Sequence, residues 1–167
     1  KLPAGCLLRI ESDGTSQMKA YWDARAVIEH AVTHRFAGSE DDALAALDGV
    51  LRDAVRLRMI ADVPFGLFLS GGIDSALIAA MMQKEAGSIA TFTIGFEGLP
   101  SEVPYAAAIA RHLGTRHTEQ TLRASDALDA VPLMASIYDE PMGDSSSVPT
   151  YLVSRLARGS ATVAISG

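Results

Sequence analysis

The chain has 167 residues, 49% of them hydrophobic and 20% charged, with a formal net charge of −6, which excludes disorder and collagen-like order and fits one globular domain of ordinary size. No apolar run reaches the ~20 residues of a membrane span, and no Lys/Arg cluster is present to neutralise phosphates, so membranes and nucleic acid are not expected as partners. The single Cys6 excludes an intrachain disulfide, and with no signal-peptide pattern at Lys1 the expected compartment is a reducing cytoplasm.

Leu7-Leu8-Arg9-Ile10 and Met18-Lys19-Ala20-Tyr21-Trp22 flank Ser12-Asp13-Gly14-Thr15, which is turn chemistry between two short strands. An isolated hairpin is marginal, so it either pairs with the later domain or belongs to a sheet outside the chain. From Ser39 the period becomes helical, with Leu44, Leu47, Leu51, Ala54, Val55 and Arg58 at three-and-four spacing, predicting a helix that packs one stripe on a sheet. Val63 to Leu69 is a dense apolar run ending in Ser70-Gly71-Gly72, and Ala76 to Ala86 comes next as a helix. Ile89 to Ile94 reads as a strand, Glu102 to Leu113 as an alanine-rich helix stopped by Gly114, and His117 to Leu122 as a polar edge strand. A helix over Ser125–Ile137, a loop over Asp139–Pro149, a helix over Thr150–Arg158 and a strand over Thr162–Ile165 complete the chain. Alternating strands and helices with short buried strands predict an α/β fold: a doubly wound, mostly parallel sheet with helices on both faces, preceded by the hairpin.

The strongest chemical signal is Leu69-Ser70-Gly71-Gly72-Ile73-Asp74-Ser75, placed where a buried strand hands over to a helix. Two glycines allow backbone N–H groups to converge on one concavity, and the helix N-terminus adds its positive dipole end, so the loop suits phosphate. Gly66 to Gly71 has the glycine spacing of G-x-x-x-x-G-K-[ST], but the next residue is Gly72 where that motif needs Lys. Such a loop is poorly equipped to transfer a γ-phosphate. It can grip a pyrophosphate while Asp74 orients a Mg²⁺ shared with the phosphates.

Ser70-Gly71-Gly72-Ile73-Asp74-Ser75 resembles the S-G-G-x-D-S signature of the PP-loop ATP pyrophosphatases, which split ATP between its α and β phosphates. Within that group most of the chain resembles the synthetase domain of the glutamine-hydrolysing asparagine synthetases. Phe92-Thr93-Ile94-Gly95-Phe96 is similar to the family's second strand, and His112-Leu113-Gly114-Thr115 with His117 to its helix end and third strand. Tyr138-Asp139-Glu140-Pro141, Asp144 and Ser147 to Tyr151 resemble its Y-D-E-P-x-x-D-x-S-x-x-P-x-Y loop, and Ala164-Ile165-Ser166-Gly167 the start of its S-G-x-G-x-D-E segment. Residues 1–30 resemble the tail of the family's amino-terminal glutaminase domain and linker, and residues 39–167 the first part of its ATP-binding synthetase domain.

The resemblance implies ATP and Mg²⁺ as cofactors, with aspartate and glutamine-derived ammonia, delivered by a glutaminase domain outside this chain, as partners. Ser70, Gly71, Gly72, Asp74 and Ser75 would hold pyrophosphate, Asp74 also the metal. Backbone groups of Leu69, Ile94 and Gly95 would meet the nucleotide, and Asp139, Glu140, Asp144, Ser166 and Gly167 would lie near the acyl-adenylate pocket. The family's further metal ligand and catalytic Glu come after Ser166-Gly167 and are not in this sequence, and Cys6 lies inside the hairpin, unlike the family's amino-terminal nucleophile. The isolated chain is therefore expected to be inactive, and no catalytic residue is assigned within it. The alternatives are a β-lactam-synthetase-like or peptide-cyclising relative and a non-catalytic scaffold of the same fold; a homodimer is left open. His30 and His34 are four apart, but the Glu of H-E-x-x-H is missing and there is no third ligand, which favours a surface pair.

Overall fold

A computed structural model describes all of residues 1–167, which divide into two compact units, Lys1–Leu47 and Asp48–Gly167. The first unit contains an antiparallel hairpin of β1 (Cys6–Ile10) and β2 (Ser16–Ala20), with Leu8 opposite Met18. Its turn is fixed by the Asp13 carboxylate, which accepts from the Thr15 N–H at 2.9 Å and the Thr15 hydroxyl at 2.7 Å. The sequence pattern assigns no element to the stretch after the hairpin, yet α1 (Ala24–Thr33) forms there. Asp23 caps it through the Ala26 N–H at 2.7 Å, and Arg25 pairs with Glu29 one turn on at 2.8 Å. Ala24, Val27, Ile28, Ala31 and Val32 recur at helical period, a signal that the sequence reading passed over, although none of these residues is buried. The rings of His30 and His34 stack at 4.0 Å on exposed surface, the surface pair expected.

α2 (Glu40–Arg58) begins in this unit and continues into the second. Only Val55 of its stripe is buried, while Leu44 and Leu47 stay exposed, so the predicted packing holds for its second half alone. The second unit then runs β3 (Phe65–Phe68), α3 (Ile73–Ala86), β4 (Ala90–Phe96), α4 (Val103–Leu113), β5 (Arg116–Leu122), α5 (Ala124–Ala130), α6 (Met134–Ile137), α7 (Ser147–Ala157) and β6 (Val163–Ser166). The single helix expected over 125–137 is broken, because Pro132 has no N–H for the i−4 carbonyl; a 3₁₀ turn, Val131–Leu133, takes its place. α7 starts three residues earlier than expected, because Pro149 falls in its first turn, where a missing N–H costs nothing.

The four strands are all parallel in the order β5-β4-β3-β6. β5 is an edge strand, as its polarity predicts. One face is sealed by Leu67 and Leu69 against Val55, Ala79, Met82, Ala106 and Ala110, that is, by the end of α2 with α3 and α4. The other packs Ala90, Phe92 and Leu122 against Leu152, Val153 and Ala157 of α7 and Ala130 of α5. Gly66 is required for the second face: a Cβ there would lie 2.6 Å from the Phe92 ring and 3.0 Å from the Ala90 carbonyl oxygen. Full burial of a ring like Phe92 is worth roughly 1.5–3 kcal/mol, so the missing side chain is favourable in context.

β4 is not apolar on both faces. Thr91 and Thr93 are buried, and an unpaired buried hydroxyl would cost about 1–3 kcal/mol, so each is bonded. The Thr91 hydroxyl meets the Thr115 hydroxyl at 2.8 Å and the His117 Nδ1 at 2.9 Å. The His117 Nε2 is buried without a hydrogen-bond partner, with the Glu119 carboxylate 3.7 Å away. Burial holds the His117 pKa below the ordinary 6.5, against a smaller opposing pull from Glu119. The unfolded chain therefore binds the extra proton first as pH falls. This contribution to stability is complete above about pH 6.5 and is lost as pH drops through the lower, folded value. Between about pH 7 and pH 5 the melting temperature is expected to fall, and His117→Asn, which can keep the bond to Thr91 but takes no proton, to flatten that fall. An unchanged slope in the variant would remove His117 as the cause.

Candidate functional site

The strand order places a switch point between β3 and β6: the chain leaves β3 toward β4 and β5 on one side and returns through α5–α7 to β6 on the other. Crevices beyond the carboxyl ends of strands form at such points. Phe68 lies level with Ser166 on one side and Phe92 on the other. Just beyond this row lies a cleft of about 430 Å³, lined among others by Leu69, Ser70, Ser75, Ile94, Ser166 and Gly167. Six of the residues singled out from the sequence thus meet in one cavity.

The floor of the cleft is the β3–α3 loop, laced by two serines. The buried Ser75 hydroxyl accepts from the Ser70 N–H at 3.1 Å and lies 2.8 Å from the Ser70 hydroxyl, with the carbonyls of Ser70 and Gly72 both at 3.3 Å. The Ser70 hydroxyl accepts in turn from the Gly72 N–H at 3.1 Å. A hydroxyl has one hydrogen and two lone pairs, so either serine can donate across the 2.8 Å contact: with Ser70 as donor the Ser75 proton serves a carbonyl, and with Ser75 as donor the Ser70 proton is left for another acceptor. The available backbone donors are the first-turn amides of α3, since the first intrahelical bond runs from the Ala76 N–H to the Gly72 carbonyl at 3.2 Å. With the dipole of α3, they make the floor an acceptor of anions.

Neither loop glycine adopts a left-handed conformation; positive φ occurs only at Gly5, Gly14, Gly87, Gly98 and Gly114. What Gly71 supplies is room, since a Cβ there would lie 2.8 Å from the Tyr105 Cβ in the first turn of α4. Gly95 is similar: its Cβ would lie 2.6 Å from the Ser101 hydroxyl. Gly71, Gly72, Asp74 and Gly95 do not line the cleft, although the first three belong to its floor loop and helix start. Gly167 abuts the same helix start, where a Cβ would lie 2.8 Å from the Ser75 nitrogen.

Asp139 and Glu140 line a different cavity, of about 440 Å³, with Tyr138, Pro141, Met142 and Ser147. Consecutive residues at the start of α7 line the two cavities, Ser146 the first and Ser147 the second. Asp144 lines neither. Its carboxylate accepts from the Ser146 N–H at 2.8 Å, and that bond holds its pKa below the usual carboxylate value.

Sequence reasoning missed Thr93, Glu102, Ser146 and Thr150, which also line the cleft. The Thr93 hydroxyl, buried, donates to the Leu69 carbonyl and ties β4 to the last residue before the loop. The Glu102 carboxylate accepts from the Gly71 N–H at 3.4 Å. Two threonines among the apolar residues of one strand were the available signal for Thr93. Glu102 gave none, because its partner lies 31 residues away and nothing local shows its carboxylate turning from its own helix. No Lys or Arg lines the cleft.

The Asparagine synthase family profile matches residues 46–167. A Methanocaldococcus jannaschii protein named as a glutamine-hydrolysing asparagine synthetase is 42% identical over 71% of this chain and 23% of its own length. Asparagine synthetase (glutamine-hydrolysing) 1 of Bacillus subtilis is 32% identical over the whole of this chain and 26% of its own. The chain thus spans about a quarter of the length of these curated relatives. Among solved structures, the NH3-dependent NAD synthetase of Campylobacter jejuni is similar over 70% of this chain and 52% of that one, at 15% identity and a TM-score of 0.47.

Ser75→Ala removes the acceptor of the Ser70 N–H and the donor to two carbonyls. It is expected to cost about 1–3 kcal/mol in denaturant unfolding and to speed hydrogen exchange at the Ser70 and Gly72 amides. Wild-type exchange at both amides would show that the loop does not depend on this hydroxyl.

Proposed function

The chain belongs to the asparagine synthase family, and on that premise we propose that it is the nucleotide-binding core of an ATP-dependent, glutamine-hydrolysing asparagine synthetase. The observation that carries this reading is the serine-laced loop at the switch point, an anion-accepting floor built without lysine. A site that must hold the γ-phosphate in flight benefits from a cation at that phosphate. A site that releases pyrophosphate as a unit needs donors along two phosphates.

In the proposed reaction the β-carboxylate of aspartate attacks the α-phosphorus of ATP, the α–β bridging bond breaks, and pyrophosphate leaves with that oxygen. Ammonia then attacks the acyl carbon of the β-aspartyl adenylate, AMP departs and a proton is lost, giving asparagine. The α3 first-turn amides with the Gly71 N–H hold the leaving pyrophosphate, and the Ser70–Ser75 lacing, which takes up the Gly72 N–H, keeps the loop and those donors fixed, so they need no reorganisation as charge develops. Leu69 and Ile94 border the nucleotide, with Gly95 next to Ile94 but outside the cleft lining, and Ser166 and Gly167 close the opposite side. Asp139, Glu140 and Asp144 belong to the acyl side.

Asp74 fits a magnesium site of one kind only. Its carboxylate is exposed in the first turn of α3, and no group of three His, Cys, Asp or Glu gathers anywhere in the chain. Mg²⁺ commonly takes one or two carboxylates and fills its shell with water and substrate phosphate, which is what a lone Asp beside the loop can support. The ion would supply charge neutralisation on the pyrophosphate.

Residues 1–30 are proposed to be the tail of a glutaminase domain and its linker. Support comes from the family match beginning at residue 46, and from a hairpin whose Leu7, Leu8, Ile10 and Met18 are exposed. Ammonia would reach the synthetase domain from that neighbour. No helix of the chain is long and apolar enough to cross a membrane, and the proposed compartment is the cytoplasm.

Calorimetric titration with Mg·ATP tests the reading. Wild-type chain is expected to bind, and Asp74→Ala to bind at least about tenfold more weakly, the loss of one charge-assisted contact. Equal affinities would remove Asp74 from the metal, and no binding by either chain would remove the nucleotide site.

A further inference from the structure

Glu102 is an unusual residue for its place. It is the N-cap of α4, a position that favours Ser, Thr, Asp or Asn, and its side chain makes no capping bond. The Val103 N–H of that helix is served instead by the Ser101 hydroxyl at 3.2 Å. The carboxylate of Glu102, a residue that lines the cleft, turns the other way, across 31 residues of sequence, and accepts from the Gly71 N–H at 3.4 Å. It can reach because Gly71 lies flush against the start of α4: a Cβ on Gly71 would be 3.4 Å from the Glu102 Cβ. A negative oxygen therefore occupies the loop amide that the proposed nucleotide reading assigns to phosphate, and Asp74 adds a second carboxylate on the same loop-and-helix corner. The cleft itself has no lysine or arginine to offset either charge.

We infer that Glu102 is a specificity determinant that makes the cleft accept a polyphosphate only as its divalent-metal complex. With the ligand absent, its carboxylate occupies the Gly71 amide in place of a phosphate oxygen. A metal-free polyphosphate entering would bring its full negative charge against both Glu102 and Asp74. The metal complex arrives partly neutralised, engages Asp74 through the cation, and displaces Glu102 from Gly71 with far less repulsion. This rests on the nucleotide reading above and adds to it a residue that discriminates between forms of the same ligand.

The test uses the full chain, with pyrophosphate as the probe, titrated calorimetrically in excess MgCl2 and again in EDTA, for wild type, Glu102→Gln and Glu102→Ala, with melting curves for each. Wild type is expected to prefer the magnesium complex by at least about tenfold. Both variants should narrow that ratio several-fold by tightening metal-free binding while leaving the magnesium complex within about twofold. A ratio unchanged in both variants overturns the inference and leaves the nucleotide reading standing. Weakening of the magnesium complex by about tenfold also overturns it, since Glu102 would then be a metal ligand. No binding by wild type in either buffer overturns the nucleotide reading and this inference with it.

Discussion

Ser75 reaches back from the first turn of α3, where its hydroxyl accepts from the Ser70 N–H, lies 2.8 Å from the Ser70 hydroxyl and has the carbonyls on both sides of Gly71 at 3.3 Å. The loop between strand and helix has no ladder of its own, so this side chain supplies the bonds a ladder would have made. Its effect extends in both directions. Toward the sheet, the Leu69 carbonyl is held by Thr93, so β3 enters the loop already tied to β4. Toward the helix, the Gly72 carbonyl is kept free of the loop's amides and receives the first intrahelical bond from Ala76. The donors of the cleft point where they do because the hydroxyls around them are already committed.

That commitment decides the electrostatics of the site. The two serine hydroxyls are engaged with each other and with the loop backbone, and no cationic side chain lines the cavity. What remains positive is partial charge, on unsatisfied amides and the end of a helix. Partial charges of this kind are fixed in direction and need no side-chain ordering, which suits a leaving group whose geometry must be held through a displacement. They are also modest in sum, so nearby carboxylates matter more here than beside a lysine. The two acids at this corner, Asp74 and Glu102, differ in their contacts: one sits exposed in the helix turn, the other rests on a loop amide.

The parts of the fold that were legible in the sequence are those written in local chemistry. The glycine–serine loop, the Gly114 stop and the polarity of β5 each depend on neighbours within a few residues, and each is found where the pattern places it. Errors occur where proline is ambiguous. Pro132 breaks a helix that the apolar period continues through, whereas Pro149 is absorbed into a first turn. α1 carried its own marks, Asp23 as cap, the Arg25–Glu29 pair and Val27, Ile28, Ala31 and Val32 at helical spacing, in a stretch to which the sequence reading assigned no element. In the cleft, Thr93 and Glu102 meet partners 24 and 31 residues away. No window of sequence contains such a contact; it exists only once strand order brings β4 and the start of α4 beside the β3–α3 loop.

The glycines show how a correct residue can be read for an incomplete reason. Gly71 and Gly72 mark the loop in the sequence through the freedom of their backbone, yet neither uses a left-handed conformation. Gly71 is small because α4 arrives against it, with the Tyr105 Cβ 2.8 Å from where a Cβ would stand. The same contact carries Glu102 to the Gly71 amide. A larger residue at Gly71 would therefore do more than stiffen a turn: it would push α4 away and withdraw the carboxylate from the loop together. Packing and charge at this corner are set by one missing methyl group. At this corner the glycine matters for what it admits: a neighbouring helix close enough to place an acid on the loop amide.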